Sequence, residues 1–184
     1  SPSVIVSFTL LGVVPLVAKV LIGVIQRRKR LAAFKKPKRF DANVVVVGGG
    51  SAGLVTSLIV AGAKAKVVLV EKHRMGGDCL YTGCVPSKSI IRSGRIMSYI
   101  RRAADYGIVD AAGKVDFAAV MQRVQGVIET IEPHDSPERF TSLGVTCVSG
   151  SARLISPYEV EVDGKIITTE SIVIASGARP FVLP

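Results

Sequence analysis

Residues 43–53 read NVVVVGGGSAG, and this stretch decides the fold. Val44, Val45, Val46 and Val47 form an apolar run without polar alternation, the pattern of a strand buried on both faces. The run leads straight into Gly48-Gly49-Gly50-Ser51-Ala52-Gly53, and an apolar helical pattern continues to Ala61. A second buried strand, KVVLV over residues 66–70, ends at Glu71. Strand, glycine turn, helix, strand and acid together make a dinucleotide-binding unit. Gly48 permits the tight turn, Gly50 lets the backbone approach a pyrophosphate, and Gly53 lets the helix seat against the strand. Ser51 and Ala52 open the helix, whose free N–H groups and partial positive charge favour phosphate. Glu71, with Lys72 beside it, stands where a carboxylate accepts both ribose hydroxyls of an adenosine. At this point the ligand is open between NAD and FAD.

Working outward, residues 75–88 read MGGDCLYTGCVPSK, followed by an amphipathic stretch to about Arg102. On one continuous helix Cys79 and Cys84 would have Cα atoms about 8–9 Å apart. A disulfide tolerates at most about 7 Å. The two can bridge only if the chain before the helix is irregular, which Gly83 and Pro86 predict. Proline suits the first helical turn, so Cys84 is expected near the helix start, where the dipole favours a thiolate. Zinc is the rival use of paired cysteines, but no second pair and no nearby histidine set accompanies them. No metal site is expected.

GGGSAG, an acidic strand end and GGDCLYTGCVPSK together resemble the class I pyridine nucleotide–disulfide oxidoreductases, the family of dihydrolipoamide dehydrogenase, glutathione reductase and mercuric reductase. Asp78 before the first cysteine is most similar to the mercuric-reductase-like, membrane-associated members. Threonine is commoner at that position, and asparagine where Tyr81 stands. The resemblance implies FAD, with Glu71 on the adenosine ribose and with Gly77, Asp78 and Lys88 among the cofactor contacts. It implies that Cys84 is the charge-transfer thiol beside the flavin and Cys79 the interchange thiol. Electrons would pass from NAD(P)H through FAD to the Cys79–Cys84 disulfide, then to a thiol, disulfide or metal-ion acceptor.

Beyond residue 105, DFAAVMQRVQGVIETI over residues 116–131 is helical by period, and Asp135-Ser136-Pro137 caps a shorter helix to Leu143. Residues 145–148 read as a strand leading to Gly150-Ser151-Ala152. Residues 158–162 and 165–169 flank Asp163-Gly164 as a hairpin, and residues 171–175 form another buried strand. By the resemblance, Ala152 lies on the adenine side. The ASGARP turn, with Ala175, Ser176 and Gly177, resembles the turn closing the first FAD segment of the family. His134, in EPHDSPER, has the wrong neighbours for the family's acid–base histidine and reads as leading into a helix. Cys147 reads as core filler.

The net charge is +10, yet nine of the 24 Lys and Arg fall in residues 1–40, which hold no acid. The remainder is near neutral and lacks a basic stripe with interleaved aromatics, which excludes a nucleic-acid role. Three cysteines exclude a stapled secreted scaffold.

Residues 4–25, VIVSFTLLGVVPLVAKVLIGVI, carry one charge, Lys19, and as a helix would extend roughly 33 Å. They are expected to span a membrane. The basic run QRRKRLAAFKKPKRF then stays cytoplasmic by the positive-inside rule and can touch anionic lipid. A signal peptide would put its charge before the apolar run.

The expected architecture is therefore α/β: a Rossmann-like FAD-binding domain over residues 42–184, a parallel sheet with helices and a small hairpin layer. A transmembrane helix (1–25) and a basic linker (26–41) precede it, with the FAD domain on the cytoplasmic side of a membrane. The chain opens on serine, so the helix is open to being the last of several spans. The family's NAD(P)H domain, returning FAD segment and dimerisation domain would follow Pro184. The chain is thus expected to be part of a homodimeric flavoenzyme, its rival being a non-catalytic membrane-tethered flavin-binding module.

Overall fold

The computed structural model describes the backbone of residues 2–178 and 181–183, with side chains from Val13 onward. Two compact units result, residues 1–38 and residues 39–184. The first contains helix α1 (Pro2–Ala32), with Pro15 inside it and Lys29 and Arg30 in its last turn.

The expected membrane span is overturned, because among the described residues no helix is long and apolar enough to cross a membrane. The side chains of residues 4–12 lie outside the described ones. The apolar remainder, residues 13–25, extends about 20 Å at helical rise, against about 30 Å of hydrocarbon. Lys19 interrupts it, and the same helix runs on through Arg27, Arg28, Lys29 and Arg30. The expected membrane location, with the FAD domain on the cytoplasmic side, rested on that span and falls with it.

The second unit is a mixed α/β sheet of the Rossmann-like kind. Its strands are β1 (Ala42–Val47), β2 (Val67–Glu71), β3 (Val145–Ser149), β4 (Ala152–Ser156), β5 (Glu159–Val162) and β6 (Lys165–Ile174), in the order β3-β2-β1-β6-β5-β4. The first four in that order are parallel, with Val45 opposite Val68 and Ile172, and Leu69 opposite Cys147. Consecutive valines of β1 serve opposite faces. Val46 joins Leu54, Val67, Leu69 and Phe140, whereas Val45 joins Val70, Val160 and Val162. Burying each such side chain contributes about 1.5–3 kcal/mol. Helices α2 (Ser51–Gly62) and α6 (Pro137–Ser142) supply Leu54 and Phe140 to the first face. Strand β5 supplies Val160 and Val162 to the second.

Two stretches differ from expectation. Strand β4 turns the hairpin into a three-stranded antiparallel meander. The separate strands expected at 165–169 and 171–175 are one, β6, which pairs with β5 over its first half and with β1 over its second. Thr169 sits at the change of partner, fully buried, and its hydroxyl donates to the Ser171 carbonyl at 2.9 Å. That bond removes the cost of burying a hydroxyl within a strand. The hairpin turn is as expected. Asp163 and Gly164 both have positive φ, 48° and 83°, the requirement of a type I′ turn.

Helices α3 (Gly77–Tyr81), α4 (Cys84–Arg101) and α5 (Phe117–Ile131) form a bundle around Leu80, Val124 and Ile128. Asp116 caps α5 through the Ala119 amide, and Ser136 caps α6 through the Arg139 amide.

Candidate active site: a glycine turn, a carboxylate and a dithiol

The chain leaves β1 toward β2 on one side, while β6 returns on the other. Their carboxyl ends therefore diverge at a topological switch point, where open α/β sheets place ligands. A cleft of about 490 Å³ opens there. Gly48 forms its floor with φ of +110°, and a Cβ at that position would strike the Ala175 carbonyl. Ala175 in turn donates its N–H to Val47 O at 2.8 Å. At Gly53 a Cβ would strike the Gly48 carbonyl, so α2 seats against the turn only because that residue is glycine.

Glu71 ends β2 at the cleft wall, its carboxylate fixed by two backbone amides. Oε2 accepts from Gly49 N at 2.5 Å, and Oε1 accepts from His73 N at 2.7 Å. A carboxylate offers about four acceptor positions, so both oxygens keep capacity for a ligand.

Of the residues expected around a cofactor, Gly48, Gly50, Glu71, Lys72, Gly77 and Asp78 line this cleft. Ala152, Ala175, Ser176 and Gly177 line its far side. Ser51, Ala52, Gly53 and Lys88 do not. Ser51 instead reaches Cys79, and Gly53 is buried under the turn. Arg179 and Pro180 of the ASGARP turn lie outside the described residues. Sequence reading missed Arg74, Tyr81 and Ser151 as cleft residues. Their proximity to Glu71 and Ala152 in the chain was the available signal.

The Gly77 backbone meets the Gly50 backbone, where a Cβ on Gly77 would come within 2.8 Å of Gly50 Cα. This contact brings α3, and with it Cys79, to the glycine turn. Helix α3 stops at Tyr81. Its cap, Thr82, returns an N–H to Asp78 O at 3.0 Å, and α4 restarts at Cys84 behind Gly83. The two thiols are hydrogen-bonded to one another. Cys79 is half-buried and Cys84 exposed.

The Cys84 thiol holds Cys79 below the ordinary thiol range, helped by the Ser51 hydroxyl, the Cys84 backbone N–H and Lys88. Cys84 itself is pushed up, chiefly by the same bond to Cys79. Within the dithiol the bond between the thiols thus shifts Cys79 down and Cys84 up, opposite in direction to the helix-start effect expected at Cys84. Cys147 packs against the core beside β2, and burial raises its thiol. His134 lies in the turn between α5 and α6.

Residues 42–184 match the family described as pyridine nucleotide-disulphide oxidoreductase. Dihydrolipoyl dehydrogenase of Mycoplasma pneumoniae is 34% identical over 147 residues, covering 75% of this chain and 30% of that protein. The Chlamydia muridarum dihydrolipoyl dehydrogenase is 35% identical over 143 residues, covering 76% and 30%. Mercuric reductase of Staphylococcus aureus is 29% identical over 142 residues, covering 77% and 26%. The chain spans less than a third of the length of these relatives. Glycine turn, strand-end carboxylate and cysteine pair thus converge with the sequence match: the chain belongs to the pyridine nucleotide-disulphide oxidoreductase family.

Proposed function

We propose that residues 42–184 bind FAD and carry the redox-active dithiol of an oxidoreductase that takes electrons from NAD(P)H. The observation that carries this reading is the contact of Gly77 with Gly50. It joins the dinucleotide turn to the segment bearing Cys79 and Cys84.

The cleft suits the adenosine-diphosphate half of FAD. Gly48 and Gly50 leave backbone exposed to phosphate, the α2 N-terminus adds its dipole, and Glu71 presents a fixed carboxylate to ribose hydroxyls. When bound, FAD supplies acceptance of hydride from NAD(P)H and delivery of two electrons to a disulfide. Cys79 and Cys84 hold those electrons as a dithiol. The Cys79 thiolate, stabilised by Cys84, Ser51 and Lys88, is the sulfur prepared to attack an acceptor. A disulfide or a thiophilic metal ion suits that chemistry, following the relatives' names. Assembly as a homodimer with the family's remaining domains belongs to the same reading.

Titration of the chain with FAD, followed by flavin fluorescence, tests it. Saturable binding is expected, and Glu71→Ala should weaken it by about tenfold or more, since a charge-assisted hydrogen bond contributes about 1.5–3 kcal/mol. A parent chain that takes up no FAD would overturn the cofactor assignment.

A further inference from the structure

Tyr81 stands between the two cysteines and closes α3. Its ring packs with Leu80 and Val85 against Val124, Ile128 and Ile131. The hydroxyl donates to Glu132 Oε1 at 2.7 Å, just beyond α5. The Arg74 guanidinium lies over the ring, 3.8 Å from its centroid. Arg74 and Tyr81 also line both the cleft and an adjoining cavity of about 340 Å³ that extends to Glu132, Asp135 and Cys147. One side chain thus ties together the loop after β2, the end of α3 and the turn after α5. Burial, and then the bond to Glu132, push the hydroxyl pKa up, which keeps Tyr81 a donor.

Where α3 stops determines whether the thiols can meet. A helix continued through Cys84 would hold the two Cα atoms beyond disulfide reach, at about 8–9 Å. The chain avoids this by ending α3 at Tyr81 and restarting at Cys84. A helix of so few residues has little stability of its own, so its last residue must be held from outside.

We infer that Tyr81, held by Glu132 and Arg74, is the positioning residue that brings Cys79 to Cys84 and thereby sets the balance between their dithiol and disulfide forms. The inference rests on the reading of the two cysteines as a redox pair. With glutathione disulfide as oxidant, one thiolate of the pair attacks a glutathione sulfur and releases one glutathione. The second thiolate attacks the resulting mixed disulfide, forms the Cys79–Cys84 bond and releases another. The two protons lost by the cysteines end on the two glutathiones, and glutathione disulfide is the species reduced. Loosening Tyr81 lets the end of α3 fray in the dithiol state, and closing the ring then costs more conformational entropy.

The test equilibrates the full chain in glutathione buffers of graded composition, traps the thiols, and quantifies the Cys79–Cys84 disulfide by peptide mass spectrometry. Tyr81→Phe keeps the ring and loses the donor. It should lower the disulfide formation constant by about three- to tenfold, and Glu132→Ala should shift it the same way. Glu132→Gln keeps an acceptor oxygen and should remain within about twofold of the parent. Far-UV circular dichroism confirms that each variant is folded. If the parent closes its disulfide while Tyr81→Phe and Glu132→Ala match it within about twofold, the positioning role is wrong and the redox pair stands. Equal damage from Glu132→Gln and Glu132→Ala would also overturn the role, because the acceptor would not matter. A parent whose two thiols stay free in glutathione disulfide alone would overturn the redox reading and the inference together.

Discussion

At the scale of single residues, the two thiols of the pair are shifted in opposite directions. Cys79 lies below the ordinary thiol range first because of Cys84, then because of Ser51. Cys84→Ala removes the largest of these influences while leaving Ser51 and Lys88 in place. The Cys79 pKa should therefore rise, and alkylation by iodoacetamide at neutral pH should slow. The pH profile of the rate checks this, and a profile unchanged from the parent would mean that the hydrogen bond between the thiols does not control Cys79. Glu71 shows a different economy. Both of its oxygens are held by main-chain amides at fixed distances, so the carboxylate is oriented before any ligand arrives.

At the scale of elements, the junction between the parallel sheet and the meander depends on one clasp. The Asp41 carboxylate Oδ2 accepts from the Thr168 N–H at 2.9 Å and from its hydroxyl at 2.8 Å, while Asp41 N donates to Thr168 O at 3.1 Å. The clasp fastens the start of β1 to β6 at the point where β6 changes partner. The Thr168 backbone bond, then its hydroxyl, lower the Asp41 pKa. A carboxylate with a lowered folded pKa stabilises the fold above its unfolded value, about 3.9, and that contribution is lost as pH falls through the folded value. Asp41→Ala should cost about 1 kcal/mol at neutral pH, since the site is exposed. The difference from the parent should shrink below about pH 4 in urea unfolding curves. A gap that stays constant down to pH 2 would show that the charge contributes nothing.

At the scale of the whole chain, every strand and all three hydrophobic clusters among the described residues fall within residues 39–184. Most of the excess positive charge falls in residues 1–38. A core that closes on itself needs no help from the basic helix. Residues 39–184 alone should thus unfold cooperatively within about 3 °C of the full chain by circular dichroism. Loss of the cooperative transition on removing residues 1–38 would show that α1 belongs to the folding unit.

The valine run, the glycine spacing and the acid at residue 71 made the dinucleotide turn legible from sequence, because each is a local demand. A strand buried on both faces must be apolar throughout, and a turn at φ of +110° with no room for a Cβ must be glycine. The Asp163-Gly164 turn and the cap at Ser136 were legible for the same reason. What depended on distant partners was not. The continuity of β6 across Thr169 required β5 and β1 to offer edges on opposite sides of one strand. The apolar stretch at the N-terminus has the composition of a span, yet its described part is too short and too charged for one. The acidity of Cys79 over Cys84, and the reach of Tyr81 to Glu132 fifty-one residues away, arise only once α3 lies against α2 and α5. Sequence alone determined the glycine turn between β1 and α2, since backbone geometry restricts which residues can stand there. Tertiary structure decided in which direction each thiol is shifted and that Tyr81 reaches Glu132, since hydrogen bonds between distant segments exist only after packing.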